Sequence, residues 1–357
     1  MKKILIIALS GIGDALMFTP SIELLRKLLP SAKIDALTMF TGAKEMYERN
    51  PFIDHVYYFD FLNSSLFSSL KFSLRLRNKY DATINVYPSN RKEYNLISFL
   101  LGAKSRCAAI YVRKDFQNLG FLNNTRINEV DSKHNVQTNI KIIEKLLKIN
   151  INEEPDLSFP LTDQDELIAS NYFNEIKLKE KDLVIGFHPG SATLKNHINR
   201  RWAPEKFAAL AIRLIKDFGA SIFIFGGPEE NELKNSIKNM IGLSSAFIIN
   251  TKTFPQNVAI AKRCNVFVTN DSSMMHVASA LKKNVVALIG PTNVNYIHPW
   301  KTNYKIISLN LDCSPCFFYS PRPLICSRAD TKYKCIKEIE VDTVYNAVID
   351  FINKIKK

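Results

Sequence analysis

The sequence predicts an α/β protein made of two doubly wound domains, each a parallel sheet covered by helices on both faces. Three observations carry this. Short apolar runs alternate with stretches of three-to-four-residue apolar periodicity from the first residues onward. The alternation weakens between about Asn150 and Asp182, where Glu153-Glu154-Pro155 and Phe159-Pro160 look like a linker, and then restarts. The chain has 357 residues, 46% hydrophobic and 23% charged, enough for two cores at roughly 100–200 residues per domain. The composition also excludes a disordered, collagen-like or low-complexity chain.

Taken in order, Lys3–Leu9 reads as a strand buried on both faces, followed by a glycine turn. A helix from Ala15 to Leu29 places Leu16, Ile22, Leu25 and Leu29 on one side and ends before Pro30. Lys33–Thr38, Val56–Phe59 and Ala82–Val86 read as further strands, with helical stretches between and after them, including Val136–Lys148. After the linker come a helix Asp163–Ile176 and a strand Leu183–His188, then helix Pro204–Phe218 and strand Ala220–Phe225. Helix Glu229–Ile241, strand Ala246–Ile249, helix Pro255–Lys262 and strand Val266–Thr269 follow, then helix Ser273–Leu281 and strand Val285–Ile289. Val341, Val344, Val348, Phe351, Ile352 and Ile355 give a last amphipathic helix. The domains expected are 1–160 and 161–340, with the helix 341–357 packing back on the first. No internal repeat is visible. Met1-Lys2-Lys3 and the apolar run Ile4 to Leu9 imitate a signal peptide, but the run is short and enters Ser10-Gly11-Ile12-Gly13-Asp14 instead of a cleavage site. A cytoplasmic protein is expected, and no apolar run reaches the roughly 18 residues of a membrane span.

Charge is uneven. The net charge is +14, and residues 1–150 hold 22 basic and 13 acidic side chains against 26 and 21 in the remainder. Such a half suits an acidic partner: nucleic acid, an anionic membrane face or a phosphorylated substrate. A lysine-rich composition bias is the bland alternative. The basic residues from Lys71 to Lys148 are dispersed and match no nucleic-acid motif, so nucleic acid is not expected.

In open α/β sheets ligands bind beyond the carboxyl ends of the strands. Two domains facing each other bring those ends to one cleft, and the polar motifs of this chain fall in the loops concerned. Ser10-Gly11-Ile12-Gly13-Asp14 follows the first strand. Gly11 and Gly13 allow close backbone approach to a ligand, and Asp14 can cap the helix or act on a substrate. The third glycine of a dinucleotide fingerprint is missing, which disfavours a nicotinamide-dependent oxidoreductase. His188-Pro189-Gly190-Ser191-Ala192-Thr193 offers the hydroxyls of Ser191 and Thr193 to phosphate oxygens. Arg200 and Arg201 follow, either as phosphate-binding guanidiniums or as a surface basic pair beside a half-buried Trp202. In Phe225-Gly226-Gly227-Pro228-Glu229-Glu230 one glutamate suits a ribose and the other a helix dipole. In Thr269-Asn270-Asp271-Ser272-Ser273-Met274-Met275-His276, Asp271, Ser272 and His276 are polar exceptions in an apolar setting; a structural histidine is the alternative for His276.

Six cysteines occur, four of them in the segment 313–335. Cys313, Cys316, Cys326 and Cys335 have spacing that suits a tetrathiolate metal site, with free thiols or disulfides as alternatives. Cys107 and Cys264 read as ordinary buried residues.

The strand-end motifs, in this order and combination, resemble the ADP-heptose:lipopolysaccharide heptosyltransferases, the ninth glycosyltransferase family. The likeness covers nearly the whole chain: Ser10 to Asp14, Thr19-Pro20, His188 to Ser191, Arg201-Trp202-Ala203-Pro204-Glu205-Lys206-Phe207, Gly226-Gly227-Pro228, Asn270-Asp271-Ser272 with His276, and Gly290-Pro291-Thr292. It implies a GT-B fold, two Rossmann-like domains facing a central cleft. It also implies inverting transfer of heptose from ADP-L-glycero-D-manno-heptose to an acceptor hydroxyl of the lipopolysaccharide inner core, with no cofactor required for catalysis. The family's catalytic carboxylate falls on Asp14 as general base. Gly11, Gly13, Ser191, Thr193, Arg200, Glu229, Asp271, Ser272 and His276 would bind the nucleotide sugar, and Arg200 stands where some relatives carry lysine. The four cysteines would hold a structural zinc or iron. The acceptor would be an acidic, lipid-linked lipid A–Kdo or inner core at the inner-membrane surface, which gives the basic first domain, with Lys71–Lys79 and Arg91-Lys92, a task. A different donor, a protein acceptor of the autotransporter type, or a non-catalytic nucleotide- or metal-binding module are the alternatives.

Overall fold

A computed structural model describes residues 1–89, 91–112, 115–318 and 323–355. It divides into two compact units, one from Met1 to Pro160 and one from Leu161 through the C-terminal helix.

The first unit holds β1 (Lys3–Ala8), α1 (Ile12–Met17), α2 (Thr19–Leu28), β2 (Lys33–Thr38), α3 (Thr41–Glu48), β3 (His55–Tyr58) and α4 (Leu66–Arg75). It continues with β4 (Ala82–Asn85), α5 (Lys92–Leu100), β5 (Ser105–Ile110), β6 (Thr125–Asn128) and α6 (Asn135–Leu147). Its six strands are parallel, in the order β3-β2-β1-β4-β5-β6. Strands β1 and β4, buried along almost all their length, take the middle, where both faces are covered, and the partly exposed β3 and β6 take the edges. Strand order reverses between β1 and β4, which makes the loops after these strands the walls of a crevice.

The single helix expected from Ala15 to Leu29 is two helices that meet at Phe18. Pro20 has no N–H for the carbonyl of Leu16, and the Thr19 hydroxyl donates to that carbonyl instead, at 2.8 Å. The break turns α1 independently of α2 and sets the angle at which Asp14 leaves the strand-end loop.

The second unit holds α7 (Asp163–Glu175), β7 (Val184–His188), α8 (Pro204–Phe218), β8 (Ser221–Ile224), α9 (Asn231–Ile241), β9 (Ala246–Ile248) and α10 (Phe254–Ala261). After these come β10 (Val266–Asn270), α11 (Ser273–Ala280), β11 (Asn284–Leu288), α12 (Val294–Ile297), β12 (Tyr304–Ile307), α13 (Lys334–Lys337) and α14 (Val341–Ile355). Its parallel order, β12-β11-β10-β7-β8-β9, repeats that of the first unit, with the reversal between β7 and β10. The α14 side chains Val344, Val348, Phe351 and Ile352 are buried in one cluster with Phe207, Leu214, Val268 and Val286. Helix α14 therefore packs on α8 and on this unit's own sheet. Its apolar stripe matches a face of the second sheet that would otherwise be bare. Residues 356 and 357 lie outside the described residues.

Trp202, read as half-buried, is 1% exposed. Its indole N–H donates to the Ile339 carbonyl at 2.9 Å and its ring meets Phe207 edge-on at 5.0 Å. This anchor fixes the start of α8, and with it the two arginines that precede it.

Candidate active site

In the second unit the loops after β7, β8 and β10 are tied into one frame. His188 ends β7; its Nδ1 hydrogen-bonds with the Ser272 hydroxyl at 2.8 Å, and its Nε2 lies 3.4 Å from Glu230 Oε2. Glu230 also accepts from the Gly227 N–H at 3.1 Å and from Arg201 Nη2 at 3.0 Å. Burial pushes the Glu230 carboxyl up, but His188, Arg201 and the Gly227 N–H outweigh it and hold the group below the usual carboxylate range. Gly190 lies so close that a Cβ there would collide with Glu230 Oε1. Asn270 closes the frame, donating to the Pro189 carbonyl at 2.7 Å and accepting from the Trp202 N–H at 3.0 Å.

Arg200 and Asp271 form a buried ion pair inside this frame. Thr292 donates to Asp271 Oδ2 at 2.7 Å, Arg200 Nη2 reaches His197 Nδ1 at 2.9 Å, and the guanidinium lies 5.5 Å from the centre of the Phe317 ring. Arg200 Nε has no partner among the described residues. The two arginines are thus not a surface pair. Ser272 stands at the N-cap of α11, but its hydroxyl is turned to His188 and Thr269, and makes no cap bond to the helix. A buried guanidinium and an uncapped helix N-terminus at the carboxyl end of the sheet are an arrangement that favours a diphosphate.

The other residues singled out in the sequence divide between use inside the frame and exposure at its rim. The Ser191 hydroxyl donates to the His197 carbonyl at 2.9 Å and accepts from Arg201 Nε at 3.3 Å, which holds the loop. Thr193 and Glu229 are exposed. His276 is buried on α11, and its Nδ1 has no partner among the described residues. Burial pushes its pKa down to about 4; Asp271 opposes the shift and His298 reinforces it. The imidazole is neutral at pH 7.

In the first unit, Gly11 is the N-cap of α1, and its N–H donates to Asp14 Oδ2 at 3.2 Å. Asp14 is half-buried, Gly11 exposed and Gly13 buried. The carboxylate thus completes the reverse half of a capping box. Three buried tyrosines feel its charge. Burial first, and Asp14 second, raise the Tyr47 hydroxyl; Tyr111 is raised by burial and by the charges of Glu129 and Asp14, against hydrogen bonds from Ser89. Tyr94 is pushed up to about 12 by burial, with Arg91 opposing and Asp14 assisting. Tyr47 and Tyr94 donate to the carbonyls of Ala15 and Leu9, at 2.8 and 2.7 Å, and fix the backbone on either side of the glycine turn.

Sequence reasoning gave no place in the frame to His188, Glu230, Asn270 and Thr292, and read Arg201 only as a phosphate contact or surface pair. All except Thr292 sit within three residues of a residue that was singled out, but only burial and distance separate the ones that build the loops from the ones at the rim.

The expectation of a four-cysteine metal site finds no support among the described residues. Among the described residues no group of three or more His, Cys, Asp or Glu side chains is placed to hold a metal ion, and all four are free thiols. The Cys313 sulfur accepts from Arg328 Nη1 at 3.6 Å and that of Cys326 from the Tyr333 N–H at 3.3 Å. Cys316 is exposed and Cys335 buried. The N–H groups of Cys316 and Phe317 donate to the Pro291 carbonyl, at 3.0 and 2.9 Å. The sulfurs lie near enough to feel one another: burial first, and then the other three thiols, push Cys335 up to about 11. Residues 319–322 of this segment lie outside the described residues. Cys107 and Cys264 are buried.

Comparison with known proteins gives one consistent result. The family described as glycosyltransferase family 9 (heptosyltransferase) matches residues 69–322. The chain is 26% identical over 358 residues to lipooligosaccharide heptosyltransferase 2 of Campylobacter jejuni, covering 97% of this chain and 98% of that one. Among solved structures, the family 9 glycosyltransferase of Veillonella parvula superposes with a TM-score of 0.79 at 22% identity, over 99% of this chain and 98% of that one. The E. coli ADP-heptose lipopolysaccharide heptosyltransferase II does so with a TM-score of 0.75 at 21% identity, over the full length of both. The fold is the one that these proteins share, the GT-B class of two Rossmann-like domains. The chain belongs to glycosyltransferase family 9, and it is a glycosyltransferase enzyme.

Proposed function

We propose that this enzyme moves heptose from ADP-L-glycero-D-manno-heptose, with inversion, to a hydroxyl of the lipopolysaccharide inner core. The observation that carries the reading is the buried Arg200–Asp271 pair beside the uncapped start of α11, in a frame built from the loops after β7, β8 and β10. Such a site favours a leaving diphosphate by fixed charge and dipole. The second unit then holds the nucleotide sugar. Arg200, Ser272 and the α11 N–H groups face the diphosphate, with Ser191 and Thr193 shaping the loop beside it. Glu229, exposed at the rim, takes the ribose hydroxyls, and neutral His276 stays buried on α11, near enough to feel the Asp271 charge.

The first unit binds the acceptor. Asp14 accepts the acceptor hydroxyl's proton while that oxygen attacks the anomeric carbon from the face opposite ADP. The bond from carbon to the diphosphate oxygen breaks, its electron pair leaves with ADP, and a single displacement inverts the centre. Gly11 and Gly13 let the acceptor approach the backbone. The acceptor's acidic, lipid-linked nature agrees with the excess of basic side chains in residues 1–150, and with work at the cytoplasmic face of the inner membrane. No helix among the described residues is long and apolar enough to cross a membrane.

The test is ADP release from ADP-heptose with and without a heptose-deficient, phosphorylated lipid A–Kdo acceptor. Release that requires both is expected. Release with another nucleotide sugar, or with a protein acceptor, would keep the chemistry and replace the substrates.

A further inference from the structure

Helix α4 turns apolar side chains outward. Leu66 is 90% exposed and Phe67 76%, with Leu70 at 42% and Leu74 at 44%. At 100° per residue, a value that follows from about 3.6 residues per turn, these four share one stripe. Its other side holds half-buried Phe72, which packs on the first unit's core. The preceding Leu62 is exposed as well, and α5, packed against α4, exposes Leu96 and Phe99. Single exposed apolar residues need no explanation, but a contiguous set marks a surface that meets something.

Charge identifies what it meets. Lys71, Arg75, Arg77 and Lys79 are all exposed beside the stripe, and no acidic residue occurs between Asp60 and Asp81. A second copy of the chain docking through the same patch would set these cations against their own equivalents. An anionic lipid surface satisfies both features at once, apolar side chains at the acyl boundary and cations among the phosphates. We propose that α4 is a docking element for an anionic membrane surface, with Leu66, Phe67, Leu70 and Leu74 inserted at the headgroup–acyl boundary. This deepens the lipid-linked acceptor reading but is tested apart from it, with vesicles that carry neither donor nor acceptor sugar.

The experiment is co-sedimentation of the full chain with vesicles of phosphatidylglycerol and phosphatidylethanolamine in equal parts, against vesicles of phosphatidylcholine alone. Binding to the first, weakened by salt, and little binding to the second are expected. Phe67→Ser with Leu70→Ser should lower partitioning by about tenfold or more. Lys71→Glu with Arg75→Glu should lower it at least as far, since each basic side chain near such a surface contributes about 1 kcal/mol, or roughly fivefold. The replaced side chains are exposed, so unchanged circular dichroism and ADP affinity serve as controls for folding. Wild-type protein that ignores anionic vesicles, or an apolar double variant that binds them as wild type does, would overturn the proposal. So would a wild-type dimer that the apolar variant splits without change in vesicle binding, which would assign the face to a second copy. ADP release that fails with every donor, beside vesicle binding lost in the variants, would remove the transfer reading and leave the docking helix.

Discussion

Glu230 touches the loops after β7 and β8 and the arginine that leads into α8, so the frame should respond to changes at its contacts. In Gly190→Ala the new methyl collides with this carboxylate, which must give up His188 or Arg201. A loss of about 1–3 kcal/mol is expected for such overpacking, read as a lower urea midpoint, together with weaker ADP binding. His276 sets a pH dependence whose sign is fixed by its depressed pKa. The unfolded chain takes up a proton near the ordinary histidine value of 6.5 and the folded chain only at about 4, so stability falls as pH drops through that window. The shift corresponds to roughly 3 kcal/mol at about 1.36 kcal/mol per pH unit. Glu230, held below the usual carboxylate range, adds loss in the same direction at still lower pH. Thermal unfolding followed from pH 7 to pH 4 should show the decline, and His276→Gln should flatten its upper part; an equal slope in the variant would clear His276 of the effect. Residue types told where chemistry belonged, since Ser191, Arg200, Glu229 and Asp271 all lie in strand-end loops. They did not tell which of Glu229 and Glu230 is buried, because neighbours in sequence at a helix start carry the same local signal.

The elements that sequence revealed are those whose burial is written in apolar runs. Strands β1, β2, β7 and β10, and helices α8 and α14, lie within a residue of their expected bounds because both faces of a central strand, or one stripe of a helix, must be apolar. Strand β6, Thr-Arg-Ile-Asn, and the start of β5, Ser-Arg-Cys, carry no such signal; they sit toward one side of the sheet, where solvent reaches them. The break between α1 and α2 also escaped the periodicity, which continues across it, although Thr19-Pro20 marks it locally. Helix α14 was visible as a helix but not as to its partner, because an apolar stripe specifies that something covers it and not what. Its cover is α8 and the second sheet, so Phe351→Ala should cost about 3–5 kcal/mol in the stability of the second unit, measured by denaturant unfolding. A loss below 1 kcal/mol would show that the helix end is dispensable there.

At the scale of the molecule, two units without a visible sequence repeat adopt one topology, each with its order reversal between its first and fourth strands. The same reversal creates a crevice twice, and the chain fills the two differently. The first unit places a carboxylate, Asp14, after β1; the second places cations, hydroxyls and a helix start after β7, β8 and β10. The proposed function rests on this division of labour, in which the second unit would hold the nucleotide and the first activate the acceptor. The Asp14→Asn variant tests it most directly, with ADP affinity by calorimetry and acceptor-dependent ADP release measured on the same preparation. The Gly11 N–H can still donate to the amide oxygen, so the turn should persist. The predicted result is ADP affinity within about twofold of wild type and release slowed by about 10²–10⁴-fold, the usual worth of a general base. Release at the wild-type rate would contradict the claim and remove Asp14 from the chemistry.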